Sequence, residues 1–256
     1  MSTGPEVLVD RHDRILVITL DRPEQKNAMT LAAAHLVAEA VDRLDASPEL
    51  SVAVLTGAGG TFCAGMDLKR FAQGERPAVP GRGFGGLVEA PPKKPIVAAV
   101  EGWALGGGFE LALACDMVVA AEGARFGLPE VRRGLVARGG GMIRLPQRLP
   151  RSVAMELLLT GDPIDAGRAE RLGLVNRVVA EGQALEEALR LAARVAGNAP
   201  LAVRCAKAVA GAASDWPQDE VWRRQAPWSD AVFASDDARE GARAFVERRE
   251  PVWTGS

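Results

Sequence analysis

Chemistry that depends on a backbone brought close to its reactant leaves glycines at turns, and the densest such place is "EGWALGGGFELALACD", Glu101 to Asp116. Three consecutive glycines there precede a run with helical spacing and follow the apolar "KPIVAAV", which reads as a buried strand. Phosphate cradling is the first chemistry to test, and both common forms fail. A dinucleotide fingerprint begun at Gly106 needs glycine or alanine where Leu111 stands, and a P-loop begun at Gly102 needs lysine where Gly108 stands. Nucleophilic hydrolysis needs an activated serine and a base. The chain has only His12 and His35, both expected to be structural, and no serine in a glycine-flanked elbow. Cys63, Cys115 and Cys205 are widely spaced and form no CxxC, so neither a disulfide framework nor a metal site is indicated; buried thiols in a reducing compartment are expected. What remains is a pair of glycine-bearing turns, "TFCAGMDLK" (Thr61 to Lys69) and "ALGGGFE".

The elements that must hold these turns read as an α/β body. "RILVITLDRP" and "SVAVLTGAGG" are β-rich runs closed by turn residues, with the helical "TLAAAHLVAEAVDRL" between them. "DMVVAAE" and "GLVNRVV" read as further extended stretches, with a helix around "VAMELLLTG". From "EGQALEEALRLAARVAG" onward the pattern is helical almost to the end. The expected division is an α/β core over residues 1–195 and a C-terminal helical region over 196–256. Gln73 to Pro95 is rich in Gly and Pro with little periodicity, so a long, mobile loop is expected there. No internal repeat is found.

A length of 256 residues suffices for one large core. A net charge of -2 gives no overall attraction to nucleic acid or to an anionic membrane, so any basic site must be local. "MSTGPEVLVDRHDR" lacks a basic start followed by an apolar stretch, and no later segment reaches a membrane span of roughly 18 apolar residues. A cytoplasmic location without membrane or nucleic-acid partners is the expectation.

The chain resembles the crotonase family, the enoyl-CoA hydratases and isomerases. The matching pieces are "DRPEQKNAM", "LTGAGGTFCAGMDLK", "KPIVAAVEGWALGGGFELALACD", "ARFGLPEVRRGLV", "LLLTGDPIDAGRAERLGLVNRVV", "NAPLAV" and "DDAREGARAFVERREPVW", in family order over nearly the whole chain. The resemblance implies a crotonase-like α/β fold of stacked ββα units with a C-terminal helical trimerisation region, assembled as a homotrimer or a homohexamer. It also implies an oxyanion hole formed by the backbone amides of Met66 and Gly107. An acyl-CoA thioester accumulates negative charge on its carbonyl oxygen as the α-carbon gains or loses a proton, and fixed N–H dipoles stabilise that enolate.

Glu110 and Glu130 are the acid-base candidates that the resemblance supplies. Glu110 follows Gly107 by one helical turn, and Glu130 closes "FGLPE", where hydratases of the family carry their second glutamate. Retention of both favours hydration of a 2-enoyl-CoA, with Glu130 donating a proton to Cα and Glu110 partnering the water. Two carboxyls in an apolar pocket can share one proton, so one serves as acid and the other as base near neutral pH. CoA contacts are expected from Lys26, Ala28, Ala64, Gly65, Asp67, Leu68, Lys69 and Gly106, and from Arg248 reaching a neighbouring subunit. CoA enters as part of the substrate, and no separate cofactor or metal is implied. An aromatic residue found in some hydratases nineteen positions before Arg248 is replaced by Ser229.

Within the family the alternatives are a Δ3-Δ2 enoyl-CoA isomerase and a crotonobetainyl-CoA hydratase-like enzyme; outside catalysis, an RNA-binding or scaffold homologue. No Lys/Arg run supports RNA binding. One departure stands out. Arg138 occupies a position where many hydratases have a glycine that helps to hold the catalytic water, and Ala137 replaces a common proline. Arg138 is expected either to pair with a surface acid or to select an acyl group with a polar terminus.

Overall fold

The computed structural model describes residues 4–256; residues 1–3, which head the N-terminal stretch assessed for a leader, lie outside it. The chain opens with β1 (Val7–His12) and β2 (Ile15–Leu20), an antiparallel hairpin, and crosses through α1 (Leu31–Ala46) to β3 (Val52–Gly57), which pairs parallel with β2. Thr30 caps α1 by accepting the N–H of Ala33 at 3.1 Å, an interaction typically worth about 1 kcal/mol. The short α2 (Leu68–Ala72) follows, then a ribbon of β4 (Ala78–Val79) and β5 (Gly83–Phe84).

Two ββα passes come next. The first contains β6 (Ile96–Val100), β7 (Trp103–Leu105) and α3 (Gly107–Ala114); the second contains β8 (Met117–Ala121), β9 (Arg125–Gly127), α4 (Gly141–Arg148) and α5 (Arg151–Thr160). β10 (Ile164–Asp165), α6 (Ala166–Arg171), β11 (Arg177–Val179) and α7 (Ala184–Ala196) complete the body. Each pass contributes one strand to a six-stranded sheet of order β1-β2-β3-β6-β8-β11 and one to a three-stranded sheet of order β10-β9-β7. This stacking is the ββα arrangement expected from the resemblance.

Alternation along the strands explains why they read as unbroken apolar runs. Leu16, Ile18, Ala53, Leu55 and Ala98 enter the main core, while Ile15, Val17, Val52, Val54, Val97 and Val119 face the opposite side of the sheet. That second face is covered by α7 through Ala184, Ala188 and Ala192, a stripe of small residues at four-residue spacing that lets the helix approach closely.

Gln73 to Pro95 differs from the expected unstructured loop. It carries the β4–β5 ribbon, buries Leu87 and Val88 in the main core, and is held where Arg144 Nη2 donates to Val88 O at 2.6 Å. Close backbone packing replaces side-chain periodicity here, which is why no period shows in the sequence.

α8 (Pro200–Ala212), α9 (Val221–Phe233) and α10 (Asp236–Glu247) form the helical end. Neither α8 nor α9 buries a residue within this chain. α10 is tied to the C-terminal tail through Glu240, which accepts from Arg249 at 2.6 Å and from the Val252 N–H at 2.9 Å. His12, at the end of β1, and His35, on α1, are both exposed.

Candidate active site

Strand ends bring the two glycine-bearing turns together. Cys63 bridges to the second sheet, donating its N–H to Trp103 O at 2.9 Å and accepting from Leu105 at 3.0 Å. The earlier loop joins the same cluster: Ala64 donates to Lys26 O at 2.9 Å, Met29 to Gly65 O at 2.7 Å, and Asp67 to Met29 O at 3.0 Å. Lys26, Ala28, Ala64, Gly65, Met66 and Asp67 are therefore drawn into one place. Side chains would keep the turns apart. A Cβ on Gly108 would come within 2.0 Å of Cys63 O, and one on Gly65, whose φ is +95°, within 2.8 Å of Leu105 O and 3.2 Å of the Gly107 nitrogen. Gly107 is the first residue of α3, where an N–H has no intrahelical acceptor. Among the described residues, the Met66 and Gly107 N–H groups have no hydrogen-bond acceptor.

Glu110 projects from α3, every residue of which is buried. Glu110 is only 3% exposed, and its Oε1 accepts the Gly141 N–H at 2.9 Å. Gly139 allows that approach, since a Cβ there would lie 2.6 Å from Glu110 Oε2. Burial pushes Glu110 up to about 7; the Glu130 charge adds to the rise, and the Gly141 and Gly139 N–H groups oppose it. Glu130 lies on the 3-10 turn Pro129–Arg133, with Oε1 3.0 Å from where a Gly106 Cβ would stand. Burial raises its carboxyl above the ordinary range as well, against its own backbone N–H and Arg133. Glu130 Oε2 is the one buried side-chain oxygen or nitrogen among the described residues that has no hydrogen-bond partner. Unpaired buried carboxyl oxygens are costly, and such a group is better tolerated protonated.

Two residues at this place were not legible from the sequence. Phe84, on β5, lays its ring against Gly107: a Cβ on that glycine would meet Phe84 Cζ at 2.2 Å. Arg144, on α4, is partly buried and close enough to Glu110 for the two to influence each other's protonation. An isolated cation in "MIRLP" and an aromatic in a glycine-rich stretch carry no local signal of either contact. Cys63, buried beside the first turn, is pushed up to about 12 by burial and stays a thiol.

The remaining expected residues divide. Asp67 turns inward, capping α2 through the Lys69 and Arg70 N–H groups at 3.1 and 3.3 Å and pairing with Arg22 at 3.0 Å. Its side chain is thus committed to structure. Lys26, Leu68 and Lys69 are exposed at the rim. Arg138 is exposed and takes part in no ion pair among the described residues, so the expected pairing with a surface acid is not observed. Its backbone N–H donates to Val136 O at 2.8 Å and is not free for a water. Arg248 is exposed at the C-terminal cap of α10 with φ +55°, on a helix packed against α9, and is not gathered with the two turns inside one chain.

Known proteins match this chain over nearly its whole length. The family model described as enoyl-CoA hydratase/isomerase matches residues 10–256. A carnitinyl-CoA dehydratase of Salmonella heidelberg is 44% identical, covering 96% of this chain and 97% of its own. An enoyl-CoA hydratase of Mycobacterium tuberculosis is 39% identical, covering 98% of this chain and 97% of its own. A crystal structure of enoyl-CoA hydratase from Mycobacterium tuberculosis H37Rv superposes with a TM-score of 0.97 at 54% identity, covering 99% of this chain and all of that one. The chain belongs to the enoyl-CoA hydratase/isomerase family.

Proposed function

We propose that this protein is a hydro-lyase that adds water across the C2–C3 double bond of a 2-enoyl-CoA thioester and catalyses the reverse dehydration. The observation that carries the reading is a pair of carboxyls, Glu110 buried and Glu130 half-buried with one buried oxygen, both raised by burial, together with two backbone N–H groups without acceptors. The thioester oxygen would lie against the N–H groups of Met66 and Gly107, which stabilise it as charge develops. Glu110, with one oxygen held by Gly141, takes a proton from water as the water oxygen bonds to C3. Glu130, with an unpaired buried oxygen, delivers its proton to C2. One proton leaves water and one reaches carbon, so the pair ends with the single proton it began with.

Lys26, Ala28, Ala64, Gly65, Leu68, Lys69 and Gly106 form the CoA-facing rim in this reading, and Arg248 meets CoA phosphates from an adjacent subunit. CoA arrives as part of the substrate. Asp67 supports the rim through Arg22 and the α2 cap. Residues 196–256 serve assembly, and a homotrimer or a homohexamer is supported by the apolar surface left open at Trp222, Phe233 and Phe245, which are 77, 82 and 85% exposed. Free cysteines fit a reducing, cytoplasmic compartment, and no helix among the described residues is long and apolar enough to cross a membrane.

Relatives named carnitinyl-CoA dehydratase, and the unpaired Arg138, favour an acyl group with a polar terminus over a plain fatty chain. A panel of 2-enoyl-CoA and 3-enoyl-CoA esters, with products identified by mass, tests the reading. A gain of one water from 2-enoyl esters is expected; a 3-enoyl ester converted only to its 2-enoyl isomer would assign an isomerase instead.

A further inference from the structure

The parallel strands have two ends with different chemistry. Met66 and Gly107 follow strand C-termini, whereas Arg14, Ser51 and Lys94 stand just before β2, β3 and β6, at the opposite edge of the sheet. At that edge the start of α8 and the C-terminal tail close over the core and leave a cavity of about 240 Å3. Arg14, Lys94 and Arg204 line it, with Pro200 and Thr254, and no acidic residue does.

Each cation is incompletely satisfied. Lys94 is 7% exposed; Nζ donates to Leu44 O at 2.8 Å and Ser47 O at 2.5 Å, which leaves the third N–H of its ammonium without a protein acceptor. Burial, and next the Arg204 charge, hold Lys94 below the ordinary lysine range; Asp45 opposes and Arg14 reinforces. Asp45 is engaged elsewhere, accepting the Lys93 and Lys94 N–H groups at 2.9 and 3.1 Å. Arg14 spends Nε on Ser51 Oγ at 2.9 Å and reaches Pro48 O only at 3.5 Å. Arg204 is half-buried, and its guanidinium has no acceptor among the described residues. α8 begins beside it with no side-chain cap.

Three like charges around one partly enclosed space repel each other, and a multi-acceptor anion reverses the sign of the interaction while filling the open donor positions. We propose that this cavity is a binding site for a phosphate-type oxyanion, separate from the thioester site, whose occupation ties the α8–α10 unit to the edge of the sheet. Arg204, on α8, and Arg14, on the sheet side, hold the ligand from opposite walls, so binding and attachment are one event.

The test uses the full chain in its native assembly. Thermal unfolding and titration calorimetry are run with inorganic phosphate, with glycerol 3-phosphate, and with sodium chloride at matched ionic strength. Saturable binding and stabilisation by phosphate beyond chloride are expected. Tighter binding of the phosphomonoester would mark the site as one for the phosphate of a larger ligand, and equal or weaker binding as one for the free anion. Arg204→Ala is expected to weaken binding about tenfold or more while leaving kcat/KM for a 2-enoyl-CoA unchanged. Arg14→Gln is the second variant should the first fold poorly. Phosphate that stabilises no more than chloride, or that binds wild type and both variants equally, overturns the proposal. So does a loss of oligomer mass in Arg204→Ala without any phosphate binding by wild type, which would assign Arg204 to a carboxylate of a second copy.

Discussion

Gly141 donates its backbone N–H to Glu110 Oε1 at 2.9 Å, so the start of one helix orients the carboxyl carried by another. The contact holds one oxygen of a nearly solvent-free acid. It also opposes, without cancelling, the effect of burial on the proton affinity of Glu110.

That balance predicts a pH-dependent stability cost. Glu110 rises from 4.5 to about 7 on folding. The folded chain therefore keeps this proton more tightly than the unfolded chain, and the associated stability is complete below pH 4.5 and is lost as pH rises through about 7. The loss corresponds to about 3 kcal/mol. Glu110→Gln cannot ionise, so its Tm should rise relative to wild type between pH 5 and 8. A Tm difference that stays constant over that range would contradict a raised Glu110.

Phe84 against Gly107 predicts control of acyl shape. Phe84→Ala removes the ring beside the proposed oxyanion site, and kcat/KM for a branched 2-enoyl-CoA relative to crotonyl-CoA should increase about tenfold. An unchanged ratio would remove Phe84 from the acyl wall.

Arg138 carries an unpaired charge near the segment that holds Glu110. Arg138→Gly should reduce the preference for carboxylated or otherwise polar-ended enoyl-CoAs over neutral ones by about tenfold. Equal effects on both substrate classes would show that Arg138 does not select the acyl group.

The apolar residues left open on α9 and α10 predict assembly. Light scattering at micromolar concentration should give the mass of a trimer or of two trimers, and Phe233→Asp should lower it. A monomeric wild type would contradict both the assembly and the cross-subunit role of Arg248.

Much of this was readable in the chain because it was local. The strand runs from Arg14 to Pro23 and from Ser51 to Gly60 are apolar on both faces, and "ALGGGFE" marks a close approach that only glycine permits. Glu110 and Glu130 are singled out in the sequence by motif position alone, and the structure adds that burial raises the proton affinity of each. Phe84 and Arg144 escaped because their partners, Gly107 and Glu110, are distant in sequence and their own surroundings have no period. The segment "AGMDLK" gives no sign that an Arg22 guanidinium, forty-five residues earlier, turns the Asp67 carboxylate inward. Arg138 shows the same limit, since sequence cannot reveal that its N–H is already spent on Val136.

In the proposed reaction Glu110 and Glu130 move the protons of a hydration. The direct measurement is turnover of crotonyl-CoA in 18O-labelled water by wild type, Glu110→Gln and Glu130→Gln, with the product analysed by mass. A 3-hydroxyacyl-CoA carrying the label is expected, with a rate reduced about a hundredfold or more in each variant. Unlabelled product, or variants that turn over at the wild-type rate, would contradict it.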